Sequence, residues 1–202
     1  MQLVVTALIS ILPIISMGVR IFLLQHFWLA LVASVLALVI SCVLSCVPSV
    51  ARSVPTNYIL LFTFTILEAY AVAFTCATVK DSMVVLAAAM MTAAVVIGLT
   101  LYAVFTPTDF TKCGGAMTVI GCAFMVFSLF SFLFGPTMRL IYCVLGVIVF
   151  GMYLIFDTQY IVGGERRQYS ISKEDYIMGA MILYIDIINM FLFILELLKG
   201  DK

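Results

Sequence analysis

Tyr184-Ile185-Asp186-Ile187-Ile188-Asn189 stands inside an apolar run from residue 176 to 198, and Phe156-Asp157-Thr158-Gln159 stands near the end of the run before it. About 20 predominantly apolar residues is the length a helix needs to cross a hydrocarbon layer about 30 Å thick. A carboxylate at that depth costs about 2.5–3.5 kcal/mol on insertion scales, so it faces a partner or a water-filled cavity and marks a functional position. The two stretches therefore decide the class of the fold and name its first candidate residues, Asp157 and Asp186.

Outward from them the pattern repeats. Of 202 residues 65% are apolar and 10% are charged, whereas a soluble domain carries about 25% charge. Apolar segments read as 2–19, 28–47, 58–79, 83–105, 115–134, 138–161 and 176–198. Between them lie residues 20–26, the stretch from Pro48 to Pro55 around Arg52, Lys80-Asp81, Thr106-Pro107-Thr108-Asp109, Gly135-Pro136 and the polar residues 163–175. Proline and glycine end helices, and the charges gather at these boundaries. Continuous runs, with no period of two, argue against a membrane β-barrel. The expected fold is all-α: a seven-helix transmembrane bundle forming a single domain over residues 1–202, with the last helix either crossing or re-entrant. Ten basic and ten acidic residues cancel, which leaves no basic surface for nucleic acid. Segment 2–19 has no basic leader of the kind a cleaved signal carries, and is read as a helix although it contains Pro13.

Seven crossings put Arg52, Lys112, Arg166, Arg167 and Lys173 on one side of the membrane. Arg20, Lys80, Arg139, Lys199 and Lys202 fall on the other. That is a tie under the positive-inside rule. A re-entrant last segment would move Lys199 and Lys202 and break it, and in both arrangements the face bearing residues 163–175 is the better candidate for cytosol. The cysteines (Cys42, Cys46, Cys76, Cys113, Cys122 and Cys143) read as small apolar packers. Cys42 and Cys46 share a helix face without the further ligands a zinc site needs. His26 reads as a boundary residue, and Ala87 to Ala89 with Ala93 and Ala94 as close helix-contact surface.

Counted from the shared polar loop, Asp157 and Asp186 differ in depth by roughly 8–10 Å at 1.5 Å rise per residue. Helix tilt or a break at Gly163-Gly164 can close that gap. In contact, two such carboxyl groups share one proton and titrate as a pair; out of contact, each bonds separately to backbone, Thr158 or Asn189. Glu68 lies mid-span in Thr65-Ile66-Leu67-Glu68-Ala69-Tyr70 with no Lys or Arg one turn away, so it needs a partner on another helix, a cavity or a proton. Arg52 ends the second segment on the side of the Asp157 loop. It reads either as a counter-ion for Asp157 or as a snorkelling interfacial arginine. Tyr153 and Tyr184 read as interhelical packers.

Phe156-Asp157-Thr158-Gln159, Tyr169-Ser170-Ile171-Ser172-Lys173-Glu174-Asp175-Tyr176 and Leu183-Tyr184-Ile185-Asp186-Ile187-Ile188-Asn189-Met190-Phe191-Leu192 closely resemble the signature of the Bax-inhibitor/Lifeguard membrane proteins. Asp109-Phe110-Thr111-Lys112-Cys113-Gly114-Gly115 resembles that family's loop after its fourth helix, and Phe64-Thr65 with Glu68 is similar to its third-helix pattern. The resemblance implies a seven-helix bundle acting as a calcium leak of intracellular membranes, with paired aspartates as a pH-sensitive latch. Asp157 and Asp186 would be the pair, Arg52 the switch cation, and Glu68 with Asn189 part of the ion path. Calcium would be the transported ion, met transiently near Asp157, Asp186 and Glu68, with no permanent metal and no cofactor. The implied membrane is ER or Golgi, with the plasma membrane as the other candidate. The implied role restrains apoptosis by lowering stored calcium, with the bilayer and apoptosis regulators or other calcium channels as partners. The rival reading is an interaction protein without transport of its own. An enzyme is not expected: an intramembrane aspartyl protease needs Gly-x-Gly-Asp, whereas Leu183-Tyr184-Ile185 precedes Asp186. The signatures of a heptahelical receptor on its third and seventh helices are also missing.

Overall fold

The computed structural model describes residues 1–130, 135–165 and 167–199. Among these the chain is built of helices: α1 (Gln2–Ile15), α2 (Met17–Gln25), α3 (Phe27–Cys46), the single turn α4 (Pro48–Ala51), α5 (Thr56–Thr78), α6 (Ser82–Phe105), α7 (Gly114–Leu129), α8 (Pro136–Val162) and α9 (Tyr176–Lys199). Short 3-10 turns at Phe110–Cys113 and Lys173–Asp175 lead into α7 and α9. Six of the helical segments are long and apolar enough to cross a membrane, and seven crossings result if α1 and α2 cross together. The all-helical membrane fold expected from the sequence is the fold observed. Residue 134, where the fifth segment was expected to end, and Arg166 and Lys202 of the charge tally lie outside the described residues.

The first segment differs from its expectation. Residues 2–19 are not one helix, and residues 20–26 are not a loop. The chain breaks at Ser16, and α2 is turned by 101° from α1. Pro13 has no N–H to give to the carbonyl one turn back, and Ser16 takes an extended conformation (φ −113°, ψ 113°) that ends α1. Beyond the break, the Arg20 guanidinium donates through Nε to the Ala77 carbonyl at 3.0 Å and through Nη2 to the Val79 carbonyl at 2.9 Å. A helix ends with unpaired carbonyls, and Arg20 closes these for α5.

The chain divides into two compact units, Met1–Val85 with Ser172–Tyr184, and Leu86–Ile171 with Ile185–Lys202. In the first, both α1 and α3 pack on α5. Small residues permit the close approach: Ala69, Ala73 and Ala77 on α5, and Ala30, Ala33 and Ala37 at one-turn spacing on α3, are all buried. Gln2 Nε2 donates to Thr65 Oγ1 at 3.1 Å, the Thr6 and Tyr184 hydroxyls are 2.7 Å apart, and Ile9 packs on the cluster of Leu23, Ala73 and Ala77.

In the second unit, α7, α8 and the end of α9 are joined by rings. Phe124 stacks on Tyr142 with centroids 4.8 Å apart, and Phe193 meets Tyr142, Phe124 and Phe150 at 5.5, 5.6 and 5.8 Å. Gly146 makes room for this cluster, since a Cβ there would lie 2.7 Å from the Phe193 ring. Gly146→Ala is therefore expected to destabilise by about 1–3 kcal/mol, the usual effect of overpacking, read as earlier thermal unfolding in detergent. At the other end of α8, Gly163 takes φ +61°, a conformation that glycine adopts without steric penalty, and turns the chain toward the polar loop.

Candidate functional site

Asp157 sits one turn and a half before the end of α8, and Asp186 in the middle of α9; their residues are 7% and 4% exposed. The two carboxyl groups lie within hydrogen-bonding reach of each other. Asp186 Oδ2 is buried and finds no hydrogen-bond partner among the described residues, and the same holds for the Thr158 hydroxyl. Leu154, Ile188 and Met190 are buried on the same two helices. The depth offset counted from the loop ends does not keep the carboxyls apart, and the chain leaving α8 turns with positive φ at Gly163 and Gly164.

Asn189 donates to its own helix, to the Ile185 carbonyl at 2.9 Å. One turn before Asp157, Tyr153 lies within electrostatic range of both aspartates and donates to the Met117 carbonyl at 2.6 Å. The bond from α8 across to α7 is the interhelical packing expected of Tyr153.

Glu68 and Arg52 belong to the first unit, and the aspartates to the second. Glu68 is half-buried on α5, within electrostatic range of the Tyr184 hydroxyl. Arg52, just after α4 and read as either a counter-ion or a snorkelling arginine, is held by two acids of the turn before α9. Its Nε and Nη2 donate to the two Asp175 oxygens at 2.8 and 2.9 Å, and Nη1 lies 3.2 Å from Glu174 Oε2. The Ser172 hydroxyl accepts from Glu174 N–H and shapes the turn that presents both acids. A planar guanidinium fork matches a carboxylate in two parallel hydrogen bonds, which explains this partner. The Asp175 bond, then its charge and that of Glu174, hold the Arg52 guanidinium still further above its ordinary range against some desolvation.

A clasp missed in the sequence holds the loops at the Asp157 end of α8. Gln159, 1% exposed, donates through Nε2 to the Ala103 and Thr108 carbonyls at 3.0 and 3.1 Å, and its Oε1 accepts from Phe110 N–H at 2.8 Å. The Arg167 guanidinium donates to the carbonyls of Ala103, Thr106 and Thr108. Asp109 accepts from the Thr111 hydroxyl at 2.6 Å, from Thr111 N–H at 3.1 Å and from Gln168 N–H at 3.0 Å. Cys113, at the end of the same turn, is exposed.

The Thr111 hydroxyl first, then the Gln168 and Thr111 N–H groups and the Lys112 charge, hold the Asp109 carboxyl below the usual range, against an opposing desolvation. A carboxylate lowered in the folded chain adds stability above its unfolded value, about 3.9, and that stability is lost as pH falls through the lower folded value. The clasp should therefore hold down to about pH 4 and loosen only in stronger acid. Hydrogen exchange at the Gln168 and Tyr169 amides measures this, and Asp109→Asn should remove the acid step.

The whole chain, residues 1–202, matches the family described as "Inhibitor of apoptosis-promoting Bax1". It is similar to human protein lifeguard 3, with 36% identity over 159 residues that cover 75% of this chain and 49% of that protein. It is similar to mouse protein lifeguard 4, with 37% identity over 147 residues, covering 72% of this chain and 59% of that one. To protein LIFEGUARD 2 of Arabidopsis thaliana the identity is 38% over 151 residues, 72% of this chain and 60% of that one. The chain thus spans about half to three-fifths of the length of these curated relatives.

Proposed function

This chain belongs to the Bax inhibitor and Lifeguard family of integral membrane proteins, and from that premise we propose that it is a calcium leak gated by the proton that Asp157 and Asp186 share. The observation that carries the reading is the mutual reach of these two carboxyls inside an apolar bundle, with one Asp186 oxygen left unpaired. A protonated pair is a neutral hydrogen bond that ties α8 to α9. A fully ionised pair is two like charges in a low dielectric, which repel and part the helices. Flux is then low in acid and rises as the pair loses its shared proton.

Calcium prefers six to eight oxygen ligands. The pair supplies up to four, and the Asn189 side-chain oxygen, backbone carbonyls and water provide the rest in passing; Glu68, in the first unit, is a separate acid for the ion to meet. Weak, multi-site coordination is what conduction requires. Arg52 acts as the switch cation through its ion pairs with Asp175 and Glu174, which fasten the turn before α9. The membrane is that of an intracellular store, ER or Golgi, and a leak that lowers stored calcium restrains apoptosis.

Purified protein in calcium-loaded liposomes, assayed between about pH 5 and 8, tests the reading across the range in which such a pair exchanges its proton. Efflux should be slow at the acid end and fast at the other. No efflux beyond that of empty liposomes would leave the protein an interaction partner without transport, and efflux independent of pH would defeat the latch.

A further inference from the structure

We infer that α2 is a membrane-surface helix, lying along the headgroup boundary and seated there by Met17, Ile21 and Leu24. This stands apart from the calcium reading and rests on the first unit alone. α1 runs beside α5 in the same direction: Gln2 meets Thr65, and seven residues later Ile9 packs on the cluster that holds Ala73 and Ala77. α5 is long and apolar enough to cross a membrane, so α1 follows the crossing direction. α2, turned by 101° from α1, lies across that direction.

Its depth is fixed by Arg20, whose bonds to the Ala77 and Val79 carbonyls place α2 at the level where α5 ends. The exposed charges of Lys80 and Asp81 follow at once. That level is the edge of the hydrocarbon.

The faces of α2 agree with this placement. Leu23 is 3% exposed and, with Val19, belongs to the core against α5. Met17, Ile21 and Leu24, at i, i+4 and i+7, form an outward stripe 67, 44 and 41% exposed. An aliphatic stripe beside charges that enter water matches the junction of headgroups and acyl chains, where interfacial helices bury their apolar face. Trp28, 52% exposed just after α2, is a residue type that seeks this level. The one cation of α2, Arg20, is turned to α5, so the seat depends on apolar insertion rather than on anionic lipid.

The chain has a single tryptophan, which makes depth measurable. In a Trp28→Phe background, Met17→Trp, Ile21→Trp and Leu24→Trp are each introduced into the full chain. Each variant is reconstituted in phosphatidylcholine vesicles brominated near the headgroup or near the acyl terminus. All three should be quenched most by the shallow bromines, to the same degree, with no change on adding anionic lipid. Wild-type Trp28, which needs no substitution, should show the same shallow preference. A helix that continued through the bilayer would shift by roughly 10 Å between positions 17 and 24. Such a progression, a preference for deep bromines at any site including Trp28, or no quenching at all would overturn the placement.

Discussion

Asp186→Asn is expected to hold calcium efflux at its slow, acid-limit rate throughout the pH range, while Asp186→Ala is expected to leak at every pH. The asparagine keeps the shape of Asp186 and carries a permanent donor, so it can hold the Asp157 carboxylate whatever the pH. The repulsion that opens the seam is gone as well. Two unit charges about 4 Å apart repel by about 4 kcal/mol at an effective dielectric of 20, and about 1.4 kcal/mol changes an equilibrium tenfold. The wild-type opening equilibrium is therefore free to shift by up to roughly a thousandfold between the two ionisation states. In the asparagine variant the ratio of rates at the two ends of the pH range should fall to near one. Alanine removes donor and acceptor together, so nothing ties α9 to Asp157. Reconstituted efflux measured side by side separates a latch, for which the two variants diverge, from a plain charge requirement, for which they agree.

Gln159→Leu should have the largest effect on stability outside the aspartates. Its side chain is buried, and its oxygen accepts from Phe110 N–H while its amide serves two carbonyls. Leucine fills similar space but answers none of these groups. A buried donor or acceptor left unpaired costs about 1–3 kcal/mol. The Phe110 N–H bears most of that loss, since Arg167 also reaches the Ala103 and Thr108 carbonyls. Combined with Arg167→Ala, the loss should exceed the sum of the single changes, because the carbonyls then lose both donors. Thermal unfolding of the four proteins in one detergent gives the cycle directly; simple additivity would mean that the two side chains do not work on the same groups.

What could be read in the chain follows from what hydropathy measures. It reports the solvent of a segment, so the long apolar runs of α3, α5, α6, α8 and α9 were evident within a residue or two of their observed ends. The same measure made Asp157 and Asp186 conspicuous, because a carboxylate in an apolar run contradicts its surroundings. It does not report who partners whom. Arg52 was visible as a cation at a helix end, but its choice of Asp175 and Glu174 depends on a turn more than a hundred positions away. Gln159 stood inside a quoted motif, yet its task is set by carbonyls roughly 50 residues earlier in the chain. At the first segment Pro13 was in view, but a proline near a helix end tells of a possible stop and not of the direction taken afterwards. That direction became fixed by Arg20 finding the end of α5.

The exposure of Cys113 has a practical consequence for topology. This thiol sits on the turn that the clasp binds to the loop of Gln168 and Tyr169, so both stand on one side of the membrane. A charged maleimide that cannot pass a sealed vesicle will react with it from that side alone. With the other exposed thiols, Cys42, Cys46 and Cys122, replaced by serine, the sidedness that counting arginines and lysines leaves tied can be read from this sulfur.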